Sequence, residues 1–370
     1  MRVTMISKAC IVGTYQAKLE AIASHKDIDL TVVVPHYWRE NGNTLTLERT
    51  HTEGYQLLPA PVAFNGKFHL HFYPTLPSIL RQSKPDLCHI DEEPYNLATY
   101  LALRAARRVK ARTLFFTWQN LSRRYPPPFR NIESYIYSHA DAAIAGNLEA
   151  EQVLRGKGYT GPVRVIPQFG VDPTLFHPKA QDLPRDVFTI GYAGRLVEQK
   201  GIMTLLAAVE HLSGSWRLLI YGDGPIREQL SSRVTALGLG DKVQLNARVP
   251  FEQMPQRFAE LDVLVLPSLT KPNWKEQFGR VLIEAMACEV PVIGSDSGEI
   301  PNVIGEAGKV FPEGDAYGLR DLLSLLRDQT PLRRELGAKG RQRVLAHYTQ
   351  THIAEETVAF YRAVCEPFSH

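Results

Sequence analysis

The stretch Glu276–Glu299, EQFGRVLIEAMACEVPVIGSDSGE, holds two carboxylates, Glu276 and Glu284, separated by seven residues, with Phe278 and Gly279 between them. Gly279 lets the backbone approach a ligand closely, and the unpaired amides of a helix starting there suit a diphosphate. Glu284 falls in the second turn of that helix, its side chain leaning back towards the helix start. A carboxylate there repels phosphate and is better suited to accept hydrogen bonds from sugar or ribose hydroxyls. In a second stretch, GYAGRLVEQKG, Arg195 and Lys200 follow an apolar strand and precede a helix beginning near Ile202. Two cations at a glycine-bearing strand exit can receive a leaving diphosphate, whose charge grows as a glycosidic bond breaks. A third, LLIYGDGP, places a tight turn at Gly222–Pro225 between strand and helix. Alone, that turn says little.

Simpler readings of these residues stand beside the chemical one. Glu276 and Glu284 could be solvated carboxylates on a surface helix, and Arg195 and Lys200 ordinary exposed cations. A glycosidase acid–base pair fits less well. Eight helical steps separate the acids by roughly 12 Å along the axis, beyond the roughly 9.5 Å upper range for inverting pairs, although Glu276 itself reads as loop.

The elements that must position these groups alternate. Strands are expected at Val3–Ile6, Leu30–Val34, Leu87–Ile90, Thr113–Thr117 and Ala142–Ile144, with helical stretches through Leu19 and Leu101. Such alternation predicts a parallel sheet covered by helices. Residues 41–75 fit no template. The segment Phe176–Asp186 reads as a linker, after which the alternation restarts at Val187–Tyr192. Further strands follow at Arg217–Tyr221, Val243–Leu245, Val263–Leu266, Val292–Gly294 and Val310–Phe311. The fold class predicted is therefore α/β, two doubly wound Rossmann-like domains facing a cleft at the carboxyl ends of their strands. The domains are drawn as 1–175 and 176–350, with 351–370 as a terminal helix belonging to the first.

Composition supports this division and excludes several classes. A chain of 370 residues, 44% hydrophobic and 22% charged, is globular and long for one core. Lys8 interrupts the short apolar run of MRVTMISKACIVG, so the start reads as a buried strand and not as a signal peptide. No run approaches the roughly 20 apolar residues of a membrane-spanning helix. Cys10, Cys88, Cys288 and Cys365 are scattered, which argues against a disulfide framework or a zinc site and points to a reducing cytoplasm. Residues 1–176 carry 20 Lys and Arg against 15 Asp and Glu, the remainder 22 against 24. The N-terminal half is thus the one expected to face something anionic. The net charge of +3 is too small to imply nucleic acid.

In their joint order, the E-x7-E spacing with its Phe-Gly, the RLVEQKG stretch, the GDGP turn and SGEIPNVI resemble glycosyltransferase family 4, retaining transferases of the GT-B fold. The resemblance covers nearly the whole chain. It implies a nucleotide-diphosphate-sugar donor, with Arg195 and Lys200 on the diphosphate, Glu276 on the transferred sugar and Glu284 on the ribose. It also implies that Gly13 borders the diphosphate, that backbone near Arg248 and Val249 meets the base, and that Phe278 and Gly279 amides hold sugar and phosphate. The terminal helix would cross back to the first domain. No metal or cofactor is then required. Front-face attack, with the leaving phosphate taking the acceptor proton, needs no protein base either.

The first half departs from the family pattern. His89-Ile90-Asp91 stands where many relatives have His-x-His, Gln119 and Asn120 stand where relatives often place a His, and Gly13 is single where a glycine pair is common. Asp91, Glu92 and Glu93 either cap the following helix or meet an acceptor, with Asn120 beside them. His89 and Trp118 read as core residues. The loop SRRYPPPFR, with Arg123, Arg124 and Arg130, is either solvated or an arm touching an anionic lipid surface or lipid-linked acceptor. Acceptors considered are a glycan, a lipid-linked sugar or a small molecule, reached from the cytoplasm with peripheral contact at the inner membrane face left open. A sugar-nucleotide epimerase and a non-catalytic sugar-nucleotide sensor remain as alternatives.

Overall fold

The computed structural model describes residues 1–40, 42–178 and 186–366, so the middle of the expected linker lies outside the described residues. Two compact units emerge, Met1–Gly170 together with the segment from Gln350 onward, and Val171–Thr349. The units change over at Gly170/Val171 and not after residue 175, because Val171 and Phe176 are buried in the apolar core of the second unit.

Unit 1 contains β1 (Arg2–Ile6), β2 (Asp29–Pro35), β3 (Tyr37–Glu40), β4 (Asn43–Thr46), β5 (Gln56–Ala60), β6 (Leu87–Ile90), β7 (Arg112–Thr117), β8 (Ala142–Ala145) and β9 (Val163–Val165). Seven of them form one sheet in the order β5-β2-β1-β6-β7-β8-β9, every pairing parallel. Strands such as Ala142–Ala145 are buried on both faces, which is why they read as continuous apolar runs without alternation. The unreadable stretch 41–75 holds β5 and β4, the second strand of the antiparallel hairpin β3–β4. Residues Asn43–Thr46 are all exposed, so no apolar period could announce them.

The segment Gln350–Cys365 is one helix, and its Ile353, Val358, Phe360, Tyr361 and Val364 are buried among Val3, Leu19 and Ile22 of unit 1. Tyr361 joins His89 through a 2.6 Å hydrogen bond between its hydroxyl and Nδ1, and Arg362 pairs with Asp27 at 2.8 Å.

Unit 2 contains β10 (Phe188–Ala193), β11 (Trp216–Tyr221), β12 (Val243–Asn246), β13 (Val263–Leu266), β14 (Val292–Ser295) and β15 (Lys309–Phe311), in the order β12-β11-β10-β13-β14-β15. All are parallel. In each sheet the chain first builds outward on one side and then returns to the other side of its first strand. The switch points therefore lie between β1 and β6, and between β10 and β13, where open α/β sheets bind ligands at the carboxyl ends of strands.

Candidate functional site

In unit 2 the loop after β10 carries Arg195 and Lys200, and the loop after β13 carries Glu276, so the switch point gathers all three. Lys200 closes a short 3-10 turn, Glu198–Lys200, and is followed by Gly201 in a left-handed conformation (φ 65°) that starts the helix Ile202–Glu210. A Cβ on Gly201 would stand 1.8 Å from the carbonyl oxygen of Pro267. Glycine is thus demanded twice, by its φ and by the approach of the β13 exit. Lys200 Nζ donates to Glu276 Oε2 at 2.5 Å, and the same oxygen accepts from Ser268 Oγ at 2.8 Å. Ser295 Oγ in turn donates to the Ser268 carbonyl at 2.6 Å. Lys200 Nζ also lies 5.3 Å from the Trp274 ring centroid. The carboxylate of Glu276 is buried and fixed, whereas Arg195 is exposed.

The GDGP turn, uninformative in sequence, holds the Arg195 loop. Gly194 N–H donates to Tyr221 O at 3.0 Å, Leu196 N–H to Asp223 O at 2.9 Å, and Ile226 N–H back to Leu196 O at 3.3 Å. A Cβ at Gly222 would meet Gly194 O at 1.9 Å, and one at Gly224 would meet Leu196 O at 2.2 Å. Backbone packs on backbone here, and any side chain would push Arg195 out of place. Similarly Gly298 (φ 56°) lets the Ser297–Glu299 turn lie on Glu276, whose carbonyl accepts from Glu299 N–H at 3.2 Å.

Gly279 (φ 78°) starts the helix Arg280–Ala287, as expected, with a Cβ there meeting Leu266 at 2.8 Å. The Phe278 ring stands edge-on to Tyr348 at 5.6 Å and anchors this turn. Glu284 is buried one turn in, with Arg280 Nε donating to its Oε1 at 2.7 Å. Burial raises its carboxyl above the ordinary range, offset by Arg280. Arg280 is a residue the sequence reading passed over, though its i,i+4 spacing to Glu284 is visible in it. Arg248 is exposed and Val249 half-buried on the loop after β12, the edge strand two places from β10.

The corresponding edge of unit 1 is built differently. Gly13 lies in the 3-10 turn Gly13–Tyr15, and its amide donates to Glu48 Oε2 at 2.6 Å. Gly13 is the residue expected to border the diphosphate, and here its amide is engaged by a carboxylate of the same unit, on a segment that Gln16 Nε2 holds by bonding both Cys10 O and Glu48 O. Capping is not what the acidic triplet does. The helix Leu97–Arg108 begins at Asn96, with no side-chain cap. Asp91 accepts from Ser7 Oγ at 2.5 Å and from Gln168 Nε2 at 2.9 Å. Glu92 lies 3.4 Å from His71 Nε2, both buried. Glu93 accepts from Thr117 Oγ1 at 2.6 Å and from the Trp118 amide at 2.8 Å, and desolvation pushes its carboxyl up to about 7. Asn120 is buried with Nδ2 3.4 Å from Glu149 Oε2. His89 is a core histidine whose basicity burial depresses, with Lys18 adding to the effect. Lys18, unnoticed in sequence, is buried and donates to the Gln168 carbonyl at 2.8 Å.

Two family models match adjoining parts of the chain, "Glycosyltransferase Family 4" at residues 19–175 and "Glycosyl transferases group 1" at residues 175–343. Among curated proteins the chain is 29% identical to the alpha-maltose-1-phosphate synthase of Mycolicibacterium smegmatis over 63% of this chain and 66% of that one. It is 32% identical to an amylovoran biosynthesis glycosyltransferase of Erwinia amylovora over 43% of this chain and 40% of the relative. It thus spans less than two thirds of these relatives' length. Among solved structures, the sucrose-phosphate synthase of Thermosynechococcus elongatus superposes with a TM-score of 0.75 at 22% identity, covering 98% of this chain and 99% of the other. The Anabaena protein HepE, solved in complex with UDP, gives 0.75 at 16% identity over 98% and 100%. These likenesses show the fold, which is GT-B.

Proposed function

This chain belongs to the group 1 glycosyltransferases of family 4, and we propose that it moves a sugar from a nucleotide-diphosphate donor to an acceptor hydroxyl with retention of configuration. The observation that carries the reading is the Lys200–Glu276–Ser268 cluster beside the clamped Arg195 loop at the unit 2 switch point. Arg195 supplies exposed charge to the diphosphate. Lys200, held by one carboxylate, can exchange that partner for a more highly charged phosphate. Glu276, fixed by two donors, accepts from sugar hydroxyls, and Glu284 from the ribose. The bond between the anomeric carbon and the phosphate oxygen breaks as the acceptor oxygen attacks from the same face, and the leaving phosphate takes the acceptor's proton.

This chemistry asks for no resident metal, since two cations stabilise the developing charge, and activity unchanged by EDTA is the expected result. A donor panel assayed by nucleotide-diphosphate release tests the whole reading. Release with a new glycoside of retained anomeric configuration by NMR supports it. Conversion of donor without any acceptor would establish an epimerase instead, and binding without turnover a sensor.

For the acceptor, one surface of unit 1 favours a lipid-linked substrate. Tyr37, Phe64 and Phe68 are exposed, at 39%, 60% and 45%. His69 links Phe68 to the arginine loop, its ring 5.4 Å from Phe68 and 5.3 Å from Phe129. Exposed aromatics beside Arg123 and Arg124 suit an anionic membrane surface, each cation near the surface contributing about 1 kcal/mol. Cosedimentation with acidic but not neutral vesicles, weakened by salt and by Arg123→Ala with Arg124→Ala, is expected. Binding unaffected by those changes would remove the proposal.

A further inference from the structure

The opposite edge of the unit 1 sheet, at the starts of its strands, carries a feature that sugar transfer does not use. β1, β6 and β7 are neighbours, and their N-terminal ends border a cavity of about 530 Å³ lined by Arg2, Arg81, Lys84, Asp86, Lys110 and Arg112. Five of these six are cations. Arg2 pairs with Asp86 at 3.4 Å and Arg112 with Asp141 at 2.8 Å. Among the described residues, no carboxylate stands within ion-pair reach of Arg81, Lys84 or Lys110.

The backbone adds a second, independent observation. Lys84, which ends the helix Leu76–Ser83, has φ 44°, and Lys110, just past the helix Leu97–Arg108, has φ 62°. They are two of the four non-glycine residues with positive φ among the described residues. After a helix such positions favour glycine or asparagine, because a Cβ is strained there. Helix carbonyl ends account for the sign of these two charges. They do not account for Arg2 and Arg112, which open strands, nor for lysine where glycine would be more comfortable. Like charges gathered in excess of their counter-ions repel one another, and a bound dianion relieves that repulsion.

We propose that this cavity is a binding site for a phosphate-bearing anion, a phosphomonoester or pyrophosphate group seated between Lys84, Lys110 and the Arg81 and Arg112 guanidinia. Forked guanidinium donors and point-charged amines match phosphate oxygens. The volume falls in the range of small-molecule pockets, and the hollow is open to solvent. The site lies at the strand starts, whereas Asp91–Glu93 lie at the strand ends of the same sheet.

Cys365 stands in the cavity wall and is the one cysteine of the four that is not buried. Its alkylation by neutral iodoacetamide, followed by mass spectrometry, reads occupancy of this cavity and not of the unit 2 site. The full chain is titrated with inorganic pyrophosphate, with ionic strength held constant by sodium chloride. Saturable protection of Cys365 is expected, with the midpoint raised about tenfold or more in Lys84→Gln with Lys110→Gln, since each lost charge-assisted contact is of that order. Lys84→Gly with Lys110→Gly removes the amines while relaxing the backbone. That variant should keep or raise the melting temperature and lose protection, which separates loss of the site from loss of the fold. Glucose 6-phosphate and phosphatidic acid vesicles, run in parallel, tell a free metabolite from a lipid headgroup by which of them protects. Protection by chloride equal to that by pyrophosphate, or protection undiminished in both double variants, would overturn the assignment.

Discussion

The two strand-end edges have the same topology and opposite economies of charge. In unit 2 Arg195 is exposed and Lys200 half-buried, on loops held by backbone contacts through Gly194, Gly201, Gly222 and Gly224. In unit 1 the acids Asp91, Glu92 and Glu93 are cross-linked to Ser7, Gln168, His71, Thr117 and Trp118. A charge kept available needs its loop fixed by something other than itself, and glycine-mediated backbone packing does that. A charge that fixes its own loop is consumed in doing so. By this measure Arg195 is a charge kept available in unit 2, Lys200 is shared with Glu276, and the acids of unit 1 hold their own loops.

The largest effect should come from deleting the chain after Gln350. The five large buried apolar side chains of the terminal helix contribute on the order of 1.5–3 kcal/mol each, together about the whole stability of a typical domain. Unit 1 should lose its cooperative transition in calorimetry while unit 2 keeps its own. Two intact transitions would show that the helix is dispensable.

Next, Arg195→Ala or Lys200→Ala should lower kcat by about 10²–10³, the range for one pre-organised charge-stabilising donor, with a smaller fall in donor affinity. Unaltered turnover in both variants would displace the diphosphate from this edge.

The glycines sharpen the contrast further. Gly201→Ala forces a side chain onto the Pro267 carbonyl at positive φ and should cost about 2–4 kcal/mol in chemical denaturation. Gly13→Ala meets Thr50 Oγ1 at 2.1 Å, Thr50 Cβ at 2.8 Å and Glu48 Oε2 at 3.1 Å, so the hydroxyl and carboxylate turn away while the exposed residue Thr50 shifts slightly. Its cost should stay below about 1 kcal/mol. Equal costs would mean that the Gly13 turn is as rigidly packed as the Gly201 turn.

A further effect is expected on pH dependence. Glu93, raised to about 7, binds a proton in the folded state that the unfolded chain releases near the ordinary carboxylate value. Its contribution is full below that ordinary value and is lost as pH rises towards 7, by about 1–3 kcal/mol. Glu284, raised by burial, acts in the same direction. Glu93→Gln should flatten the fall in stability over that window, measured by urea denaturation at several pH values. An unchanged slope would show that Glu93 is already ionised at acidic pH.

Sequence alone determined the two doubly wound units, because fully buried parallel strands must be apolar runs. Leu87–Ile90 and Val263–Leu266 are found at the expected bounds. The glycine-led helix start at Gly279, with Glu284 in its second turn, follows from local geometry and was equally legible. The hairpin Tyr37–Glu40 and Asn43–Thr46 was not, since Trp38 is its one buried side chain and a single position leaves no period to read. Nor could sequence say which charges are committed. That Glu276 meets Lys200 across 76 positions, that Glu48 holds the Gly13 amide, and that Asp91 meets Gln168 depend on which strand ends the sheet order makes neighbours. Residue type sets what a side chain can donate or accept. Only the folded chain decides which partner arrives within hydrogen-bond reach, and hence which charges remain for a ligand.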